Sequence, residues 1–282
     1  MRDLKNKLTS GKNSTNIQTS RGKSFGYQVL GFGSGGGVPF IGTADFLVVA
    51  GGGGNAVGQG SYREAGSGAG GLRTSFGPTS GGGASAQSDL TLTAGAQYTA
   101  TIGGGGSGHA SGATSSLAGP DISTVSCTGG GFGSNADHMN GAAGGSGGGG
   151  WYSTGAGGSG TSGEGYAGSV GFSGNPYGGA GGGAAGAGGR DTANGPGLAV
   201  DITGASVTYA VGGDSNQYPG TSRNASGAAN SGTGASGVGT GGSGVVILRV
   251  PLTDYTGTTT GSPTVTDDGD YKVIKFTGTG TY

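Results

Sequence analysis

Short apolar runs that open directly onto runs of glycine constrain this fold more than any other feature of the sequence. Residues 44–54 read ADFLVVAGGGG, residues 98–106 read YTATIGGGG, and residues 241–250 read GGSGVVILRV, with the order reversed. Apolar runs of this length bounded by glycine indicate buried β-strands. The sequence therefore predicts strands whose ends continue into glycine-rich backbone.

Glycine supplies 78 of the 282 residues, without the strict three-residue spacing or the abundant proline of collagen. Only 10% of the residues are charged, which is low for a disordered linker. Ordering so many glycines costs on the order of 40 kcal/mol more than ordering alanines. Laterally hydrogen-bonded, polyproline-II-like glycine segments offset this cost. We therefore expect an all-β protein: a sandwich or barrel-like core with long glycine-rich, polyglycine-II-like loops and almost no helix.

Alternating apolar and polar residues predict further strands. Residues 89–102 (DLTLTAGAQYTATI) predict a β-hairpin that turns at 94–97. Residues 122–128 and 198–211 carry later strand patterns. An Asp-Asp-Gly turn at 267–269 predicts a second, smaller hairpin near the end of the chain.

The chain divides into three regions by composition. Residues 1–24 form a basic, extended anchoring arm, residues 25–251 a glycine-rich β domain, and residues 252–282 a small C-terminal β-hairpin module. The arm contains six basic residues and one acidic residue, Asp3. Such an arm on a mildly acidic body favours docking on an acidic partner surface. The candidate docking residues are Arg2, Lys5, Lys7, Lys12, Arg21 and Lys23.

No pattern in the sequence predicts an enzyme, a metal site or a cofactor. Residues 31–36 fit GxGxxG, but no helix follows to hold a phosphate. His109, His138 and Cys127 lack ligand spacing, and the acidic residues at 267–270 lack a full calcium loop.

Nucleic acid and membrane partners are not predicted either. Arginines beside glycines are solitary, unlike those of RNA-binding glycine-rich segments. No stretch approaches the ~20 apolar residues of a membrane span.

Bulky aromatic residues stand alone within the glycine-rich segments. Aromatic side chains on loop tips can stack on sugars or fit into a receptor. Alternatively, they fasten glycine segments together or cap the core. The candidate surface or receptor contacts are Trp151, Tyr152, Tyr166 and Tyr177.

Four pieces in order resemble a known family: FLVVAGGGG (46–54), LTLTAGAQYTATIGGGG (90–106), SSLAGPDISTVSCTGGG (115–131) and GGSGVVILRVP (241–251). They resemble the glycine-rich domain of bacteriophage structural proteins, including tail fibres and adhesins. Residues 255–282 resemble the ends of virion proteins from marine phages and cyanophages. The resemblance implies a β framework with polyglycine-II-type packing and a place in the virus particle, and it supplies no catalytic residues.

These observations predict a non-enzymatic virion protein, a surface appendage or decoration subunit that the arm anchors to other capsid or tail proteins. One alternative is a tail-fibre adhesin that binds a host surface glycan or protein. A more distant alternative is a freestanding ice- or carbohydrate-binding glycine-lattice protein. A homo-oligomer such as a trimer is also expected, because small β cores with exposed edges gain by association.

Overall fold

The computed structural model describes residues 40–56, 64–173, 178–190, 194–215 and 224–282. The basic arm and the candidate contact Tyr177 lie outside the described residues. In the described part, no helix reaches seven residues, and the strands are antiparallel, so the all-β prediction is confirmed. The strands are β1 (Phe40–Val49), β2 (Leu72–Thr74), β3 (Leu90–Thr93), β4 (Thr99–Thr101), β5 (Ser115–Ala118), β6 (Val125–Cys127), β7 (Leu198–Val200), β8 (Val207–Tyr209), β9 (Val245–Pro251), β10 (Thr264–Asp268), β11 (Tyr271–Phe276) and β12 (Gly280–Thr281).

The larger sheet has six strands and is centred on β1 and β9. Its order is β10-β11-β9-β1-β2, and β3 pairs with the earlier part of β1. Strands covered on both faces carry near-continuous apolar runs. This explains the FLVV of β1 and the VVIL of β9: Phe46 and Val48 face one hydrophobic core, while Leu47 and Val49 face another.

A sandwich forms on one face of the larger sheet. The opposing sheet has four strands in the order β12-β4-β5-β6. The core between the two sheets includes Tyr98, Leu117, Leu248 and Phe276, all almost completely buried. The other face of the larger sheet is covered by the β7–β8 hairpin, which contributes Tyr209 to the second core.

The predicted hairpin at 89–102 is wrong. Both strands exist, but β3 pairs with β1 in the larger sheet, whereas β4 pairs with β5 and β12 in the smaller one. Tyr98 lies between the sheets, and its hydroxyl accepts from the Thr93 N–H at 2.7 Å and donates to Asp121. Alternation reveals the buried face of each strand, and the two strands face one another across the core instead of pairing edge to edge.

The C-terminal hairpin is integrated into both sheets. β10 and β11 pair around Gly269, whose φ is 58°, and β11 extends the larger sheet beside β9. β12 then pairs with β4 in the smaller sheet. Residues 252–282 therefore share their core with the glycine-rich domain, and residues 40–282 form one compact unit.

Beyond β1, the chain continues as an extended glycine segment whose successive residues hydrogen-bond to different neighbouring segments in a repeating order. Successive N–H groups of residues 50–55 donate to three different segments, 68–71, 110–113 and 239–242. Residues three apart donate to the same neighbour: Ala50 and Gly53, for example, bond to Gly71 and Gly68. Three residues per turn is the repeat of a polyproline-II helix.

The carbonyl groups of the same segment point to three further neighbours. The oxygens of Gly51, Gly52 and Gly53 accept from Gly130, Gly106 and Ala235, respectively. One segment thus contacts six others around its axis, where a β-strand would contact two. Glycine is required by this proximity: a Cβ on Gly53 would lie within 3.0 Å of the backbone of Gly130 and Gly131.

The same rule extends through what we call the glycine lattice. Residues 65–71 donate in rotation to segments 128–134, 179–182 and 232–235. The pairing with 179–182 runs parallel and the other two antiparallel, as the changes in partner number show. The lattice includes residues 50–55, 65–71, 103–106, 110–113, 128–134, 144–150, 179–184, 232–235 and 239–242.

Candidate functional site

The glycine lattice adjoins the sandwich where β1 ends at Val49, and Asn55 lies six residues further along it. Asn55 is 1% exposed, and its amide fixes several turns of the chain around it. Its Nδ2 donates to the carbonyls of Ala65 and Ser134, at 3.0 and 3.2 Å, while its Oδ1 accepts from the Ala56 N–H. A buried polar side chain with every group bonded specifies one arrangement of the loops around it.

Two histidines stack beside Asn55. The ring of His109 lies 4.2 Å from those of both His138 and Phe132, centroid to centroid. Because Nδ2 of Asn55 already donates twice, its Oδ1 is the acceptor for His109 Nδ1, 3.1 Å away. Burial lowers the pKa of His109, and the neighbouring His138 lowers it further. His109 therefore stays neutral down to a lower pH than an ordinary histidine does.

His138 is positioned by a closed turn that begins at Asn135. The Asn135 Oδ1 accepts from the N–H groups of Asp137 and His138, and the backbones of Asn135 and His138 bond to each other in both directions. The turn leaves Met139 42% exposed. The Met139 carbonyl accepts from the Trp151 N–H at 2.8 Å, which joins the histidine region to the aromatic residues beyond it.

Trp151 and Tyr152 lie where the chain leaves the lattice after residue 150. Their rings are 5.5 Å apart, and both side chains are partly exposed. Tyr152 has a φ of 47°, a left-handed backbone that is uncommon for a bulky residue. Sparsely populated backbone conformations persist only where the surroundings impose them. Here the Gly155 N–H bonds back to the Trp151 carbonyl and closes the turn.

Two further exposed apolar residues come from the neighbouring segment 170–173. Val170 is 42% exposed and Phe172 38%, and Gly171 between them donates to the Gly155 carbonyl at 2.8 Å. With Met139, they make three of the five large apolar side chains exposed in the described part of the chain. We call this region, residues 135–140, 151–156, 170–173 and 190, the tip.

A groove opens on the tip between these turns. It has a volume of about 370 Å³ and is lined by Thr154, Gly155, Ala156, Val170, Gly171, Phe172, Ser173 and Arg190. The Arg190 guanidinium lies 5.8 Å from the centre of the Phe172 ring. The groove therefore combines an aromatic ring, two hydroxyl groups and one fixed positive charge.

The residues proposed from the sequence are only partly brought together. Trp151 and Tyr152 lie at the tip. Tyr166 lies nearer the sandwich, where a Cβ on Gly83 would meet its hydroxyl and where the nearby Glu164 carbonyl accepts from Leu72. Tyr177 and the six arm residues lie outside the described residues.

Sequence reasoning missed the residues that line the groove. Arg190 carried a signal, since it is the only charged residue between Glu164 and Asp191. Other surface residues could supply whatever solubility a single charge adds, so a lone charged residue in a long uncharged segment indicates a specific contact. Val170 and Ser173 carried no such signal, because their neighbours come from another part of the chain.

An ion pair between the partly buried Arg73 and the buried Glu164 has a structural role. Glu164 is 3% exposed, lies 3.1 Å from the Arg73 guanidinium and accepts from the Thr128 N–H at 2.7 Å. The carboxylate thus connects β2, the segment after β6 and its own turn. Nearby, Cys127 is fully buried and donates to the Val48 carbonyl, and burial raises the pKa of its thiol.

Within the described ranges, no three His, Cys, Asp or Glu side chains gather into a group that could hold a metal ion. No helix in that same part of the chain is long and apolar enough to cross a membrane. The chain matches no protein-family model, and comparisons with curated proteins and with solved structures found no match.

Proposed function

We propose that this chain is a non-enzymatic structural protein of a bacteriophage virion, a surface appendage whose tip contacts the host. One observation carries the proposal: large exposed side chains from separate turns gather at the tip, beside a lattice built almost without side chains. Exposed apolar clusters with aromatic residues mark interaction sites. The resemblance of four core pieces to phage structural proteins supports placing that interaction on a virus particle.

The lattice suits the task of presenting a contact surface. Its segments are joined laterally in six directions, so a load on one loop is shared among many backbone hydrogen bonds. Binding residues are most precisely held when they extend from rigid elements. Turns at the tip can change in sequence without altering the lattice segments that they connect.

Anchoring falls to the basic arm in this proposal. Residues 1–24 oppose Asp3 with six basic residues, while the rest of the chain carries seven basic and thirteen acidic residues. The arm would dock on an acidic surface of a capsid or tail protein. Deleting residues 1–24 should abolish incorporation into particles, measured by immunoblot of purified virions. Normal incorporation of the truncated protein would overturn the anchoring role.

Adsorption of phage particles to host cells tests whether the tip contacts the host. Particles carrying Trp151→Ala together with Tyr152→Ala should adsorb to host cells more slowly, and purified wild-type protein should compete with phage for the cells. The matched control is Leu252→Ala, an exposed apolar residue, 48% accessible, near the sandwich. Equal adsorption of the tip and control variants would refute host contact through the tip.

An adhesin is favoured over a capsid decoration subunit by the same cluster, because a decoration subunit needs no exposed apolar tip. An adhesin would be present in few copies per particle and a decoration subunit in many, which quantitative gels of purified virions distinguish. A trimer, the expected assembly, would show three chain masses, each of 26.2 kDa, in light scattering of the purified protein.

A further inference from the structure

We propose that the groove at the tip binds one unit of an anionic saccharide, a sugar that carries a carboxylate or a phosphate group. The inference deepens the proposed function, on which it rests for the source of the ligand. The binding chemistry itself follows from the groove. At about 370 Å³ the groove falls in the range of small-molecule sites, roughly 300–1,000 Å³.

Phe172 supplies the surface on which a sugar ring would lie. Its side chain is 38% exposed although it lines a concave surface, and Val170, 42% exposed, lies on the same segment. The C–H face of a pyranose is apolar and packs on an aromatic ring, because the positive edges of its C–H bonds meet the negative π-face. The ring therefore favours a saccharide over a compact inorganic ion.

Arg190 supplies the charge. None of the ion pairs among the described residues includes Arg190, whereas Arg73 and Arg249 both pair with carboxylates. Its guanidinium lies over the Phe172 ring at the distance of a weak cation–π contact. Guanidinium groups bind carboxylates and phosphates through two parallel hydrogen bonds. An anionic group on the sugar would satisfy this cation.

Hydroxyl groups and bare backbone complete the groove. Thr154 and Ser173 are both exposed and present hydroxyls on opposite segments of its lining. Gly155 and Gly171 lie between them, buried and bonded to one another, so no side chain blocks the floor. The groove thus offers hydroxyl partners for the hydroxyls of a sugar beside its apolar face.

The test uses the full-length purified protein and four probes: glucuronic acid, glucose 6-phosphate, glucose and inorganic phosphate. Saturation-transfer NMR and calorimetry measure binding. We expect at least one anionic sugar to bind roughly tenfold or more tightly than glucose, since a hydrogen bond to a charged group is worth about that factor. Glucuronic acid binding alone would identify carboxylated sugars as the source, and glucose 6-phosphate binding alone would identify phosphorylated ones.

Three variants assign the contacts. Arg190→Gln should reduce binding of the anionic sugar to the level of glucose, while Arg190→Lys should keep part of the preference. Phe172→Ala should weaken both anionic and neutral sugars. Far-UV circular dichroism confirms that each variant is folded. Equal affinity for inorganic phosphate and glucose 6-phosphate, or unchanged binding by Arg190→Gln, would overturn the proposal.

Adsorption of phage particles to host cells distinguishes a failure of this inference from a failure of the proposed function on which it rests. If no probe binds but the Trp151 and Tyr152 variants still impair adsorption, the saccharide groove is wrong and host contact stands. If an anionic sugar binds through Arg190 but those tip variants adsorb normally, the groove stands and host contact is wrong.

Discussion

Replacing Gly53 with alanine tests whether the lattice depends on direct backbone contact. Gly53 lies in the middle of the segment that leaves β1. A Cβ there would lie within 3.0 Å of backbone atoms of Gly130 and Gly131. Backbone atoms cannot rotate aside as a flexible side chain does, so the segments themselves must separate.

The size of the effect follows from three contributions. Overpacking a methyl group costs about 1–3 kcal/mol. Separating the segments also strains the bonds from the Gly53 N–H to Gly68 and from Ala235 to the Gly53 carbonyl, each contributing about 1 kcal/mol net. Alanine returns about 0.4–1 kcal/mol by stiffening the unfolded chain. We expect a net loss of about 2–4 kcal/mol, or a fall in Tm of roughly 4–8 °C for a chain of this size.

Gly104→Ala is the matched control. Gly104 belongs to another glycine run, has no neighbouring atom within 4 Å of a built Cβ and does not need a positive φ. Its replacement should leave stability unchanged or raise it by up to about 1 kcal/mol. Urea unfolding followed by circular dichroism, and by the fluorescence of Trp151, the sole tryptophan, measures both variants.

Equal stability of the two variants would refute the reasoning, because it would mean that the lattice has room for side chains. If Gly53→Ala is recovered only as insoluble protein, Gly68→Ala provides a second variant. A Cβ on Gly68 would meet the backbone of Ser146 and Gly147. The same argument then predicts the same ranking against Gly104→Ala.

Three further predictions concern the charged and titratable groups. Arg73→Met should destabilise the protein by about 3–5 kcal/mol in urea unfolding, because it leaves the buried Glu164 carboxylate without its ion-pair partner. Lys272→Met should cost less than about 1 kcal/mol, because its partner Asp267 is 67% exposed and solvated. Burial lowers the folded-state pKa of His109, so the unfolded chain binds more protons than the folded protein does as the pH falls through 6.5. The free energy of unfolding should therefore fall as the pH drops from about 7.5 to about 5. The His109→Gln variant should lose this part of the pH dependence. The Cys127 thiol, buried and with a raised pKa, should resist iodoacetamide in native protein and react at the urea concentration where the fold is lost; rapid labelling of native protein would contradict its burial.

The main strands could be predicted from the sequence because their apolar runs are long. The predictions at 44–50 and 245–250 correspond to β1 and β9, which form the centre of the larger sheet. The hairpin at 89–102 could not be decided in the same way. Alternation shows which side chains are buried, but an edge-paired hairpin and two strands facing across a core bury the same ones.

The site was less predictable than the fold, and the reason is physical. Trp151 and Tyr152 were recognisable as aromatic residues at the start of a glycine segment. Their position relative to Tyr166 depends on how far along the lattice each residue lies. Which segments become neighbours in the lattice is determined by hydrogen bonds between identical backbone units. Glycine carries no side chain to distinguish one neighbour from another, so the convergence of Phe172 and Arg190 at the tip leaves little trace in sequence.

The rotation of hydrogen bonds along residues 50–55 and 65–71 also gives the lattice a reading frame. Each added residue turns the next N–H by about 120° about the segment axis. An insertion of one or two residues within a segment therefore redirects every later donor to the wrong neighbour, while an insertion of three restores the phase. Insertions and deletions inside the lattice should therefore come in multiples of three residues. The turns at the tip can lengthen by any number of residues without changing which segments hydrogen-bond to each other.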